Sequence, residues 1–211
     1  MKKEFEAFNK EDIELIKSLN TPKKIQDFIN QLEINFEKQG ETCYSPKTVL
    51  KMGRAHCMEG AMLAACILRF HRHEPLILDI EATEKDFDHV VTLFKINKHW
   101  GAISKTNHSV LRYREPVYKT IRELVMSFFH EYFTDEGIKT MRSFSSPVNL
   151  KKFDKNNWMT SEADVWFIPD YLADMKHNKI LNKSQVKSLR KADKIEIDAG
   201  KLTEFKGNSK I

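Results

Sequence analysis

Cysteine is scarce in this chain of 211 residues, with only Cys43, Cys57 and Cys66. Three thiols are too few, and odd in number, for a disulfide framework; a reducing compartment, the cytoplasm, is expected. No run of about 18 apolar residues occurs, so no segment reads as a membrane-spanning helix. The opening MKKEFEAFNKEDIELIK alternates charged and apolar residues and lacks the continuous apolar stretch of a secretory signal. Metal-ligand spacings such as CxxC and HExxH are missing. His71 with His73, or Asp86, Asp88 and His89, assemble a metal site only on paper, so no metal or other cofactor is expected. A strong excess of one charge is missing as well. The net charge is +5, with lysines interspersed among carboxylates, which gives no reason to expect nucleic acid as a partner. Repeats and low-complexity tracts do not occur.

What is present centres on Gly53–His73, GRAHCMEGAMLAACILRFHRH. Gly53 and Arg54 read as the end of a loop, and His56 to Phe70 as a helix that is apolar nearly all round, which predicts burial. The row Cys57, Gly60, Ala61, Ala64, Ala65 and Leu68 consists mainly of small residues, so a neighbour must approach closely there. Cys57 falls in the first turn, where free N–H groups and the helix dipole favour a thiolate, a common setting for a nucleophilic cysteine. Cys66, inside the helix, reads as a small buried hydrophobe. His56 reads as a cap or pocket wall, and Glu59 as an acidic residue favoured by the helix dipole.

In chain order, Glu11–Leu19 and Pro22–Phe36 read as amphipathic helices, the second capped by Thr21 with Pro22 in its first turn. Ser45-Pro46 marks a turn or a helix start in the connection that follows. After the central helix come strand candidates Leu76–Ala82, His89–Ile96 and Trp100–Ser104, the last two joined by a short turn at Asn97-Lys98. Val117–Phe133 reads as one helix with a broad apolar face. From Lys151 the chain is lysine-rich, with helices expected at Tyr171–Ile180 and Lys183–Ala192 and a frayed tail. The expectation is an α+β fold, with a central helix packed on a small antiparallel sheet and flanking helices. Residues 1–150 would form the main domain and 151–211 a helical extension.

A cysteine nucleophile needs a base within reach, and the base needs an orienting partner. His89 opens the strand after the central helix. A tight turn at Asn97-Lys98 sets Thr106 opposite His89, a turn one residue longer sets Asn107 there, and Ser104 lies on the diagonal. Asp86 and Asp88 read as a solvated loop. Arg112, Arg114 and Glu115 read as salt-bridged residues before a helix, or as carboxylate-recognising groups.

The order of HCMEGAMLAACILR, HVVTLF and KHWGAIS resembles the transglutaminase-like superfamily, distant relatives of papain-type cysteine proteases, over about Tyr44–Ser104. The resemblance implies a Cys-His-Asp triad with Cys57 as nucleophile and His89 as base, and a protein or peptide substrate. The family's Asp lies four residues past the hairpin Trp, where this chain has Ser104; Asn107 is the other candidate orienter. The activity implied is acyl transfer or hydrolysis at peptide or isopeptide amides, as in a protease, deamidase or transferase. Tyr44 would be a second oxyanion donor. The rival expectation is a domain of the same kind that has lost activity and binds a protein or peptide in its cleft.

Overall fold

The computed structural model describes residues 3–206. Two N-terminal helices, α1 (Lys10–Ser18) and α2 (Pro22–Gln31), are capped by Asn9 and by Thr21, whose side chain accepts from the Lys24 N–H. α2 stops short of the expected Phe36. Leu32 turns to extended geometry, and β1 (Glu33–Ile34) pairs in parallel with β2 (Arg54–Ala55). Between them lies α3 (Pro46–Met52), capped by Ser45 and ended by Gly53 in the left-handed region, φ 65°. That compact reversal delivers the chain into α4 (Cys57–Phe70).

Every residue of α4 from Met58 to Arg69 is buried, as an all-round apolar helix requires. The one base in that stretch, Arg69, is paired by Glu4 and Asp154. α4 lies on a mostly antiparallel sheet. Its strands are β3 (Leu76–Glu81), β4 (His89–Ile96), β5 (His99–Ile103), β6 (Arg114–Tyr118), β7 (Ser143–Ser145), β8 (Val148–Asn149) and β9 (His177–Lys179). Their order is β6-β5-β4-β3-β7-β9, with β8 also paired to β3. Asn97 and Lys98, at φ 49° and 68°, form the two-residue β4–β5 turn, so Ile96 faces His99 and Thr92 faces Ile103.

Alternation along the strands divides the core. Ile77, Val90, Phe94 and Ile103 join the α4 side, with Ile25, Ile29 and Trp158. Leu78, Ile80, Val91 and Leu93 face the other way, against Leu124, Val125 and Phe128. The expected single helix Val117–Phe133 is instead the end of β6, then α5 (Ile121–Met126), then a short 3-10 turn at Phe129–Glu131. The break has a local cause: Thr120 and Glu123 form a capping box that starts α5 only after the strand ends.

Beyond Lys151 the chain shares the same core through Phe153, Trp158, Ile168 and Leu172. Tyr171–Ile180 is not one helix: α6 (Phe167–Asp174) ends and β9 adds an edge strand, its His177 backbone paired to Ser145. Lys183–Ala192 shortens to α7 (Lys183–Lys187), and α8 (Lys194–Gly200) follows. The segment after α8 is held rather than frayed as far as described, with Thr203 bridged to His108 and the Phe205 N–H bonded to Asn107. Residues 207–211 of the expected tail lie outside the described residues. Among the described residues no helix is long and apolar enough to cross a membrane.

The small-residue row of α4 is explained by what it meets. A Cβ on Gly60 would lie 2.5 Å from Lys105 Cβ and 3.1 Å from its Cγ, and Thr92 Oγ1 donates to the Ala61 carbonyl at 2.6 Å. Lys105 is buried there, its Nζ bonded to the Leu32 carbonyl. Burial, the dominant cause, lowers its pKa to about 8. Gly60→Ala gains about 1 kcal/mol of helix propensity, but overpacking against a side-chain root costs about 1–3 kcal/mol. The variant should therefore be less stable than the wild type in urea unfolding. Equal or greater stability would mean that Lys105 is not wedged against α4.

Candidate active site

Cys57 is the first residue of α4 and is only half-buried, unlike Cys43 and Cys66, which are buried. Two imidazoles, His56 and His89, act on its thiol. Burial raises the thiol pKa, but bonds from His56 and His89 and their charges outweigh it, leaving Cys57 well below an ordinary thiol. Cys43 and Cys66 move the other way, both raised chiefly by burial. The three cysteines thus differ in setting: burial governs Cys43 and Cys66, whereas two histidines outweigh it at Cys57.

His89 stands at the start of β4, 6% exposed. Its Nε2 lies 2.7 Å from Ser104 Oγ, just past the end of β5. The Ser104 hydroxyl donates its only proton to the Leu111 carbonyl at 2.5 Å, so toward His89 it can only accept. That assigns the proton to Nε2 of His89 and leaves Nδ1 for the sulfur. Gln26 of α2 clamps the Ser104 backbone from both sides, accepting from its N–H at 2.9 Å and donating to its carbonyl at 2.8 Å. Of the two candidate orienters, Ser104 is therefore brought to His89. Asn107 is not. Its amide clasps the Phe205 backbone, donating to the carbonyl at 3.0 Å and accepting from the N–H at 2.8 Å.

His56 is the N-cap residue of α4. Its Nε2 lies 3.0 Å from the Thr42 carbonyl, 3.5 Å from Glu59 and 3.8 Å from Glu37. Burial lowers its pKa, but the bond and charge of Cys57, then Glu59 and Thr42, overcome that and lift it to about 9. Glu59 has no exposed surface. Its carboxylate accepts from Asn35 Nδ2, Thr42 Oγ1 at 3.0 Å, the Tyr44 N–H at 2.9 Å and the His56 N–H at 3.0 Å. The helix dipole alone does not account for such a residue: Glu59 organises the whole approach to Cys57. Tyr44 spends its N–H on Glu59, and its hydroxyl accepts from Arg54 at 3.5 Å.

On the neighbouring strand β3, Asp79 pairs in register with Val90 and belongs to a second polar pair. Asp79 Oδ2 is 3.0 Å from His177 Nε2, while Oδ1 is buried with no partner among the described residues. Burial, more than the His177 bond can offset, raises Asp79 to about 6, and the Cys57 charge contributes. Asp86 is tied to Thr140 and Asp88 accepts from the Ala82 N–H, so both shape the β3–β4 loop. His71 bonds the Ile16 carbonyl at 2.8 Å. The arginines are paired, Arg112 with Glu204 and Arg114 with Glu131.

No protein-family model matches the chain, and no curated protein matches it either.

Removing the Ser104 hydroxyl leaves a buried N–H on His89 unpaired, at about 1–3 kcal/mol. Ser104→Ala should move the His89 ring resonances in nitrogen-15 NMR, while Asn107→Ala leaves them in place and loosens only the 202–206 segment. Unchanged His89 resonances in Ser104→Ala would show that the serine does not orient the ring.

Proposed function

We propose that the chain is a transglutaminase-like cysteine enzyme of acyl transfer or hydrolysis, acting on peptide or isopeptide amides through Cys57 and His89. The observation that carries this reading is a cysteine at a helix start whose thiol pKa is held down by a histidine, His89, with its Nε2 held in turn by a third residue, Ser104. Cys57 thiolate attacks the carbonyl carbon and the C–N bond breaks. Protonated His89 gives its Nδ1 proton to the departing amine. Water or a second amine then attacks the thioester, passing a proton back to His89 as the sulfur leaves. As the first residue of α4, Cys57 has no intrahelical acceptor for its own N–H, which is placed to donate to the developing oxyanion.

Ser104 stands where the family pattern has an acid, and a hydroxyl brings no charge to an imidazolium. That favours the second reading, a peptide-binding module on the same cleft, more than anything else does. A non-specific acyl donor separates the two. With p-nitrophenyl acetate, the enzyme should release a burst of one nitrophenolate per chain, leave an acetyl adduct on Cys57 by mass spectrometry, and turn over slowly. His89→Ala should slow acetyl-Cys57 breakdown at least about 100-fold, the usual contribution of a general base. Acylation of Cys57 no faster than of a free thiol at the same pH would remove the enzyme reading.

A further inference from the structure

Two histidines act on one sulfur, and their supports differ in kind. Behind His89 stands a neutral relay, Ser104 Oγ and then the Leu111 carbonyl. His56 is backed by a carbonyl at 3.0 Å and by two carboxylates, Glu59 at 3.5 Å and Glu37 at 3.8 Å. With Nε2 turned to the Thr42 carbonyl as a donor, only Nδ1 is left to face Cys57. A proton on both nitrogens is then the arrangement in which every contact is favourable. Glu59 cannot drift away, because Asn35, Thr42 and two backbone N–H groups hold it.

We infer that His56, backed by the buried Glu59, is the fixed cation that holds Cys57 as a thiolate, and that His89 is the separate, mobile proton carrier. This rests on the proposed reading of Cys57 as nucleophile and assigns it a second histidine. In effect the negative charge missing at Ser104 enters from the other side of the sulfur, along Cys57–His56–Glu59. In this role His56 bonds the reacting atom and is a catalytic residue, whereas Glu59 is a positioning residue. The charged and titratable groups around the pair are Glu37, Glu59 and Cys57 on the His56 side, and His89, Asp79 and Tyr132 on the sulfur side. His56 draws its second proton from solvent, and the proton leaving the Cys57 thiol goes to Nδ1 of His89, which later gives it to the amine; the depressed thiol and the raised imidazole agree with this.

The test is the pH dependence of Cys57 alkylation by iodoacetamide, read by mass spectrometry on the full chain. In the wild type the rate should reach its plateau well below pH 7. His56→Asn supplies a good helix cap but removes the cation, and should raise the midpoint by about one pK unit or more, a rate about tenfold slower at pH values below the wild-type midpoint. Its rate should return to the wild-type plateau at high pH, which simple loss of structure would not give. His89→Asn should shift the midpoint less, yet block breakdown of the acetyl adduct. The wild type gives a second readout: nitrogen-15 NMR at pH 7.5 should show both ring nitrogens of His56 protonated. A midpoint unchanged in His56→Asn, a larger shift in His89→Asn, or a neutral His56 ring overturns the inference while leaving Cys57 as nucleophile. An ordinary thiol midpoint in the wild type would overturn both.

Discussion

A carboxylate with no exposed surface sits one turn into α4, and its neighbours are arranged to supply its hydrogen bonds. Stripped of partners, such a charge costs several kcal/mol in the interior. Glu59 meets that constraint with four donors from three separate stretches: Asn35 after β1, Thr42 and Tyr44 before α3, and His56 at the helix start. Those contacts fix the path of the chain from β1 to α4. They also fix the His56 ring, and with it one side of the Cys57 sulfur. The parallel pairing of Glu33 with Arg54 and Ile34 with Ala55 locks the same reversal from the backbone.

The other side of the sulfur depends on strand register. A two-residue turn in which Asn97 and Lys98 both adopt left-handed geometry brings Thr92 opposite Ile103, and the next residue, Ser104, within hydrogen-bond distance of His89 Nε2. A slip of one residue would exchange Ser104 for Ile103 or Lys105 and leave the imidazole without an oxygen. Gln26 guards against such a slip, since its amide reads both the N–H and the carbonyl of Ser104. α4 packs closely enough to use this arrangement because Gly60 admits Lys105.

What could be read from the chain alone divides along local and non-local lines. α4 was legible because its apolar residues run all round, and the β4–β5 hairpin because its turn residues stand between two alternating runs. The diagonal relation of Ser104 to His89 followed from counting across that turn. The Gln26 clamp was not legible, since it links positions 78 apart. Neither was the short β6, where Pro116 and the charges of REPVY mask an edge strand, nor the polar edge strand β9. Glu59 did carry a signal: an acid inside an otherwise apolar, buried helix needs a reason beyond the dipole. His56 reads from sequence only as a cap or pocket wall, since adjacent helical side chains diverge. As a cap residue with extended backbone, φ −90° and ψ −175°, it is not yet in the helix and can turn toward the sulfur.

Nucleophilic chemistry at this site requires Cys57 to be ionised at neutral pH. The most direct measurement is the thiolate absorbance near 240 nm, titrated in the wild type and subtracted against Cys57→Ala. One thiolate per chain persisting well below pH 7, and lost with Cys57, is the result expected. Absorbance appearing only with a midpoint near the ordinary thiol pKa of about 8.5 would contradict it, whatever the contacts around the sulfur.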